Sequence, residues 1–448
     1  MIIIKEIKLD YITKIYGHAS LNVKIRGNRV KRARIDVFES SRFFESLVKE
    51  KKFDEIPSIT SRICGICSAS HNITSIMAVE NAFGIEVGEQ TRQLRELLIC
   101  GEFIESHSLH SYFLALPDYM NAGSILDLAK QRPMDVERAL RLKRLGNQVH
   151  IAIGGRSIHP LTTKVGGFNQ LPTKEELKGL MKSLEQGKKD AIDTVRLFSS
   201  LKKPGFERNR KLVALRNGKD YAMLSGIICL DNVCIPPGQF RKNLKLERRL
   251  RSTSKFVTWG GKEYNVGPMA RIHMNHRFLS KDAQRCLNKV KLNFDSPMDS
   301  NLARTVELVH CIDRAMEIVR NFKPRAEDGF DFDRLKKRKY EGFAMTEAPR
   351  GVLYHRYKLN KKGIVKKAEI ITPTAQNLKC IESDVKQFIP SLLGKPHEKI
   401  ISSLEELVRS YDPCISCSTH FLEVNWDDDN KKYSKEGLQK KAGMEQKI

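Results

Sequence analysis

Along residues 1–40 apolar and polar positions alternate: Leu21, Val23 and Ile25 lead into a Gly27–Asn28 turn, and Val30, Ile35 and Val37 follow it. A period of two puts one set of side chains on one face, which predicts a small N-terminal sheet built of hairpins. From about residue 70 the period lengthens to that of a helix, with Leu94, Leu97, Leu98, Gly101 and Ile104 on one stripe. Thr173 and Glu176 have the spacing of a capping box at the start of a Lys-rich helix. Residues 204–270 carry shorter apolar runs broken by Pro and Gly and read as an irregular, partly stranded insertion. Leu302, Val306, Val309, Ile312, Met316 and Val319 predict a second long helix. Val352–Leu359 and Ile364–Ile371, joined by Asn360-Lys361-Lys362-Gly363, predict a hairpin, and a last helical stretch follows. The fold class is α+β, a predominantly helical core with a small N-terminal sheet and peripheral hairpins. It forms one domain over residues 1–420. Residues 421–448 hold few large apolar groups after Trp426 and read as a flexible extension.

Composition changes the picture in two ways. A chain of 448 residues can bury an ample core without staples, so its ten cysteines are not needed to hold it together. Four are paired as Cys64/Cys67 and Cys414/Cys417; the other six are scattered, unlike a secreted disulfide scaffold, and point to a reducing compartment. The N-terminus lacks the apolar core of a signal peptide and no run is long enough to span a bilayer, so the expected location is the cytoplasm. The net charge of +26 is concentrated in clusters such as Arg208–Lys211, Arg241–Arg251 and Lys336–Lys339. No nucleic-acid recognition motif or aromatic platform accompanies them, so a solvated basic surface or a docking face for an acidic partner is the better reading. Residues 421–448 carry six Lys against six Asp and Glu and contribute nothing to the excess.

The two cysteine pairs carry the chemistry. Two residues separate the members of each pair, so in a turn both thiolates can face one point. Four thiolates suit soft or borderline metals, and on spacing alone structural zinc and an iron–sulfur cluster are both open. Cys414 follows Cys67 by 347 positions (414 − 67), whereas common zinc modules close both pairs within one small loop. That distance favours a central cofactor joining two remote segments.

The flanks narrow the choice. Arg62-x-Cys64-Gly65-x-Cys67 with His71, and Asp412-Pro413-Cys414-x-x-Cys417 with His420, resemble the paired signatures of the large subunit of nickel–iron hydrogenases. Gly155-Arg156-Ser157-Ile158-His159-Pro160, Tyr264 to Arg271, Thr346-Glu347-Ala348-Pro349-Arg350-Gly351 and Ile371-Thr372-Pro373-Thr374 are similar to further motifs of that family. Glu105 to His110, with Leu116-Pro117-Asp118-Tyr119, looks like the soluble enzymes that couple hydrogen to NAD(P), the alpha chains of sulfhydrogenases among them. The resemblance runs from about residue 8 to residue 420 and is weakest across 200–260.

The resemblance implies a nickel ion held by all four cysteines, with Cys67 and Cys417 also bridging to an iron that carries carbon monoxide and cyanide. Cys64 and Cys414 would be terminal ligands, with Cys414 a proton acceptor during reversible heterolytic cleavage of H2. Arg350 would hang over the metals, Pro349 and Thr372 would line the pocket of the diatomic ligands, and His71 would hydrogen-bond a cysteine sulfur. Glu45 matches a carboxylate that, with His420, binds magnesium or iron near the C-terminus. The family also implies an iron–sulfur small subunit, because no further cysteine grouping in this chain could carry electrons away, and beyond it a flavin-containing NAD(P) reductase. Maturation factors would insert the metals, and an endopeptidase would cut between His420 and Phe421.

One departure stands out. The family places a proton-passing glutamate near the N-terminus where this chain has Tyr16, in Lys14-Ile15-Tyr16-Gly17-His18. A phenol, with a pKa near ~10, is a poor relay at neutral pH, so protons would leave slowly or by water, His18 or Glu347. Two alternatives stay in view: a hydrogenase-like electron-transfer or scaffold subunit with impaired proton transfer, and a zinc-stapled basic protein that binds nucleic acid.

Overall fold

The computed structural model describes residues 4–27, 29–325 and 339–419. Strands β1 (Ile4–Leu9), β2 (Ala19–Arg26) and β3 (Arg29–Val37) form an antiparallel meander in which Leu9 faces Leu21 and Val23 faces Ala33. The alternation buries Leu21, Val23, Ile25, Ile35 and Val37, as the sequence predicts. Their partners are Leu378, Ile381, Val385, Leu404 and Leu407, from the helices Pro373–Phe388 and His397–Ser410. The first and last parts of the chain therefore share one core.

The middle is helical: α1 (Ser68–Phe83), α2 (Glu89–Leu109), α3 (Pro133–Gly154), α4 (Lys174–Ser200), α5 (Pro268–Asn275) and α6 (Ser300–Asn321). The Thr173–Glu176 capping box opens α4 as expected. The predicted stripes of α2 and α6 lie in one buried cluster with Leu142, Leu145 and Val149 of α3. Helices α2 and α3 touch almost backbone to backbone. A Cβ on Gly146 would sit 2.6 Å from the Glu105 amide nitrogen, so no other residue fits there without displacing a helix.

The segment from residue 204 to 270 is more regular than its sequence suggests. Strands β4 (Val213–Arg216), β5 (Ile227–Leu230) and β6 (Val233–Ile235) form a small meander, and β7 (Leu244–Arg249) pairs with β8 (Ser252–Trp259). Cys229 and Cys234 face each other across β5 and β6 and form a disulfide, a pairing that the scattered spacing of these cysteines does not suggest. Val213, Leu215, Ile228 and Val257 pack with Met345, Val352 and Tyr354 of a third sheet. That sheet contains the expected hairpin, β10 (Gly351–Leu359) with β11 (Val365–Ile371), and a further strand, β9 (Glu341–Ala348). Strand β9 runs tight against α1: a Cβ on Gly342 would lie 2.2 Å from the Ala78 carbonyl oxygen. Helices α7 (Pro373–Phe388) and α8 (His397–Ser410) complete the described chain, with a short helical turn at Ile415–Ser418. No helix among the described residues is long and apolar enough to cross a membrane.

Candidate metal centre

Cys64 follows the tight turn Ser61–Ile63, and Cys67 stands at the N-cap of α1. The amides of Ile66 and Cys67 each point at the Cys64 sulfur at 3.3 Å, so the first pair is wound about one thiol. Cys414 precedes the Ile415–Ser418 turn, Cys417 lies inside it, and the Cys414 amide donates to Thr374 Oγ1 at 3.0 Å. Two N-terminal segments hold these turns in place. The Tyr16 carbonyl accepts from the Ile415 amide at 2.7 Å, and the Tyr16 amide donates to the Pro413 carbonyl at 3.3 Å. Arg42 joins both pairs: its guanidinium donates to the carbonyls of Ile63 (2.7 Å) and Arg62 (2.9 Å), and its amide donates to the Thr419 carbonyl (3.2 Å).

The four sulfurs converge. Those of Cys64, Cys67 and Cys417 lie within 4.8 Å of one another; Cys414 Sγ lies 2.8 Å from Cys417 Sγ and 3.7 Å from Cys64 Sγ. All four cysteines are buried. Hydrogen bonds from the neighbouring thiols, Cys414 first, hold the Cys64 thiol well below its ordinary range, while Cys67 and Cys417 are pushed up, Cys417 chiefly by burial. One negative charge already suppresses the next in so small a dry volume.

Arg350 sits at the tip of the β9–β10 hairpin, where Ala348 pairs with Gly351. Its Nε donates to the Asp412 carbonyl at 2.8 Å and its Nη2 to Asp412 Oδ1 at 3.0 Å, and the guanidinium lies 4.8 Å over the Tyr16 ring. Nη1 is buried and has no hydrogen-bond partner among the described residues. Asp412 takes a left-handed backbone conformation (φ 52°) and also meets His110 Nδ1 at 3.0 Å and Arg304 Nε at 4.0 Å. Burial alone would raise its pKa, but the Arg350 guanidinium and His110 hold it well below the usual carboxylate range. The Tyr16 hydroxyl is buried without a partner among the described residues, and burial, then Asp412, push its pKa well above 10.0.

The other predicted residues spread around this pocket. Thr372 is buried, its Oγ1 unpartnered among the described residues, at the start of α7 and two positions before Thr374. The Pro349 carbonyl accepts from Arg271 Nη2 at 2.8 Å. The hydrogen bond found for His71 is not to a cysteine sulfur: its Nδ1 lies 3.0 Å from His355 Nε2, and His355 Nδ1 lies 2.7 Å from the Tyr357 hydroxyl. Burial lowers the His71 pKa to about 4, leaving the ring neutral. Glu45 Oε1 accepts from the Ile370 amide at 2.7 Å, and Oε2 lies 3.5 Å from the Lys255 ammonium; burial raises its pKa to about 7. His420, the tail 421–448 and most of the Lys336–Lys339 cluster lie outside the described residues. Glu347 is occupied by the Leu215 amide at 2.9 Å and by Arg271 at 3.1 Å, whereas His18 is exposed two positions beyond Tyr16. His107 pairs with Glu307 at 2.9 Å, and His159 Nδ1 donates to the Ser61 carbonyl at 2.9 Å.

Sequence reasoning passed over Arg42, Asp412 as a partner of Arg350, and Arg304. Arg304 lies about 200° around α6 from Leu302, off the apolar stripe, so helical spacing gives no sign that it is buried.

The sequence profile of the nickel-dependent hydrogenase family matches residues 42–138 and 239–420. Among curated proteins, the chain is 33% identical over 433 residues to the alpha chain of sulfhydrogenase 1 of Pyrococcus furiosus, covering 93% of this chain and 98% of that one. It is 31% identical over 425 residues to the alpha chain of sulfhydrogenase 2 of the same organism, covering 93% and 100%. Among solved structures, an NAD+-reducing [NiFe]-hydrogenase in the H2-reduced state superposes with a TM-score of 0.84 at 22% identity, covering 93% of this chain and 99% of that one.

Proposed function

The chain belongs to the nickel-dependent hydrogenase family, and from that premise we propose that Cys64, Cys67, Cys414 and Cys417 hold the nickel–iron centre at which H2 is cleaved. It is the catalytic subunit of a nickel-dependent hydrogenase, an oxidoreductase. The observation that carries the site assignment is the convergence of four buried sulfurs from the two ends of the chain. The residues present fit the group. Soft thiolates suit nickel and iron, and Arg350 Nη1 and Thr372 Oγ1, without partners among the described residues, would offer donors to the carbon monoxide and cyanide that the iron would carry. When bound, the centre supplies a place where H2 is polarised and two electrons are taken up.

What the chain contributes can be followed atom by atom. All four cysteines would hold the centre, Cys64 and Cys67 from the N-terminal turn and Cys414 and Cys417 from the C-terminal one. A proton is best received at Cys414 Sγ, because Arg350, a guanidinium paired with buried Asp412, is already fully protonated. Arg350 then stabilises the charge that develops beside it, in a pocket from which the buried wall of Phe44, Ile63, Ala348, Leu353 and Ile370 excludes water. Protons do not leave through a carboxylate at position 16.

A second cation at Glu45 fits less well: both carboxylate oxygens are engaged, and His420 lies outside the described residues. No step is routed through it. The NAD(P) linkage, the iron–sulfur and flavin partners, the maturation factors, the cytoplasmic location and cleavage after His420 are parts of the same proposal; a relative named as an alpha subunit supports the partner subunits, and a neighbour named as NAD+-reducing supports the NAD(P) linkage. The single domain over residues 1–420 is supported by the core shared between β1–β3 and α7–α8.

Metal analysis of the native complex tests the centre: nickel and iron in equal amount are expected, and Cys414→Ser abolishes nickel binding. Zinc instead would remove the proposal, and neither metal would favour the scaffold reading. Hydrogen-dependent reduction of NAD, NADP and a deazaflavin identifies the acceptor, and intact mass of the nickel-loaded protein tests the cleavage.

A further inference from the structure

Arg271 is fully buried at the centre of the molecule, and every N–H of its guanidinium is used. Nε and Nη2 form a fork on the two oxygens of Glu307, each at 2.7 Å. Nη1 reaches Glu347 Oε2 at 3.1 Å and the Ala348 carbonyl at 2.9 Å, and Nη2 also reaches the Pro349 carbonyl at 2.8 Å. The two carbonyls are those immediately before Arg350. The acidic partners are anchored in turn: Glu307 meets the Tyr221 hydroxyl at 2.5 Å and His107 at 2.9 Å, and Glu347 accepts from the Leu215 amide.

The residues just before Arg271 grip the other side of the same turn. Gly267 has φ 123°, and a Cβ there would lie 3.1 Å from the Arg350 carbonyl oxygen. Gly351 has φ 128°, and a Cβ there would lie 2.5 Å from Val266 Cγ2. Both backbones adopt the region that favours glycine, so the approach is built in rather than incidental. One short stretch, residues 266–271, thus fixes the peptide planes on both sides of Arg350.

We propose that Arg271 is a positioning residue for the hydrogenase reaction, holding the turn that carries Arg350 to Asp412, two residues before Cys414. The inference rests on the role given to Arg350 above. Fold maintenance alone does not call for this arrangement. A buried Arg with two carboxylates is no more stabilising than an apolar cluster of the same volume, whereas the planar fork alone can read two carbonyls and two carboxylates at once. A displacement of about 1 Å at such a turn is enough for a loss on the order of 100-fold.

The test uses the native complex carrying Arg271→Lys, Arg350→Lys and the double substitution. Lys keeps the charge beside Glu307 but cannot span both carbonyls. Arg271→Lys is expected to retain nickel, to lower kcat for H2 oxidation roughly 10- to 100-fold with KM for H2 unchanged, and to speed backbone amide exchange in residues 346–352. The double variant is expected to be no slower than Arg350→Lys. Losses that multiply in the double variant, or wild-type kcat and exchange in Arg271→Lys, overturn the proposal. Wild-type turnover in Arg350→Lys instead overturns the role of Arg350 and this inference with it. Should Arg271→Lys fail to fold, Glu347→Gln, which loosens one side of the fork, is read in the same way: the same exchange increase with a smaller fall in kcat supports the proposal, and neither change overturns it.

Discussion

Replacing Tyr16 by Phe removes only a hydroxyl, and its consequences can be worked out from the surroundings. The ring remains under the Arg350 guanidinium at 4.8 Å, so a cation–π contact of about 0.5–2 kcal/mol is kept. The hydroxyl is buried without a partner among the described residues, and relieving an unsatisfied buried group is neutral or stabilising by about 1 kcal/mol. As a proton carrier it is nearly absent: with its pKa pushed above 10.0 by burial, fewer than about one molecule in a thousand holds phenolate at pH 7. Tyr16→Phe is therefore expected to leave the thermal midpoint unchanged or slightly raised, and kcat for H2 oxidation within twofold. Dye-linked turnover and H–D exchange, each normalised to nickel content, measure this. A tenfold loss at unchanged nickel would show that the hydroxyl lies in the proton path and that its static environment misleads. Tyr16→Ala, which removes the ring from beneath Arg350, is expected to slow turnover in the same assays.

Asp412→Asn leaves the buried Arg350 and Arg304 without their counter-charge, and a stability loss of about 3–5 kcal/mol with reduced nickel retention is expected from denaturation and metal analysis. The depressed pKa values of Asp412 and Glu307 contribute stability above the unfolded carboxylate range near ~4, which is lost as pH falls through their lower folded values, so unfolding should steepen on acidification below that range. Glu102 behaves oppositely: burial raises its pKa to about 8, so the fold loses stability as pH rises from the unfolded value toward the folded one. Glu102→Gln should therefore gain over the wild type by up to about 4 kcal/mol between pH 5 and pH 8, read as a widening difference in thermal midpoint. Gly342→Ala drives a methyl group into the Ala78 and Ala82 backbone of α1, with an expected cost of at least about 1–3 kcal/mol and a lower thermal midpoint.

The cysteine quartet is legible in the sequence because two spaced pairs with distinctive flanks stand out from six scattered thiols, and Arg350 because it sits in a motif between Pro349 and Gly351. The helices of the core are legible because their buried stripes repeat with helical spacing. Strand β9 is not: it is buried on both faces, so no alternation marks it, and its buried positions include the polar Thr346 and Glu347, which are satisfied by partners in other elements. Arg304 and Glu307 lie on the face of α6 opposite its apolar stripe and read as a wet face until Asp412 and Arg271 arrive from elsewhere in the chain. Arg42 reads as one more surface cation in a strongly basic protein, since backbone carbonyls leave no trace in composition. What the sequence hides is charge whose partner is remote or belongs to the main chain.

The meeting of the Cys64 turn with the Cys414 turn also sets a timetable. A ribosome releases the first pair of thiols long before the second exists, so throughout most of synthesis the nascent chain carries an open two-sulfur claw that any thiophilic ion can enter. Correct loading must wait for the last residues to emerge, which makes guarding the early half-site a requirement of this topology.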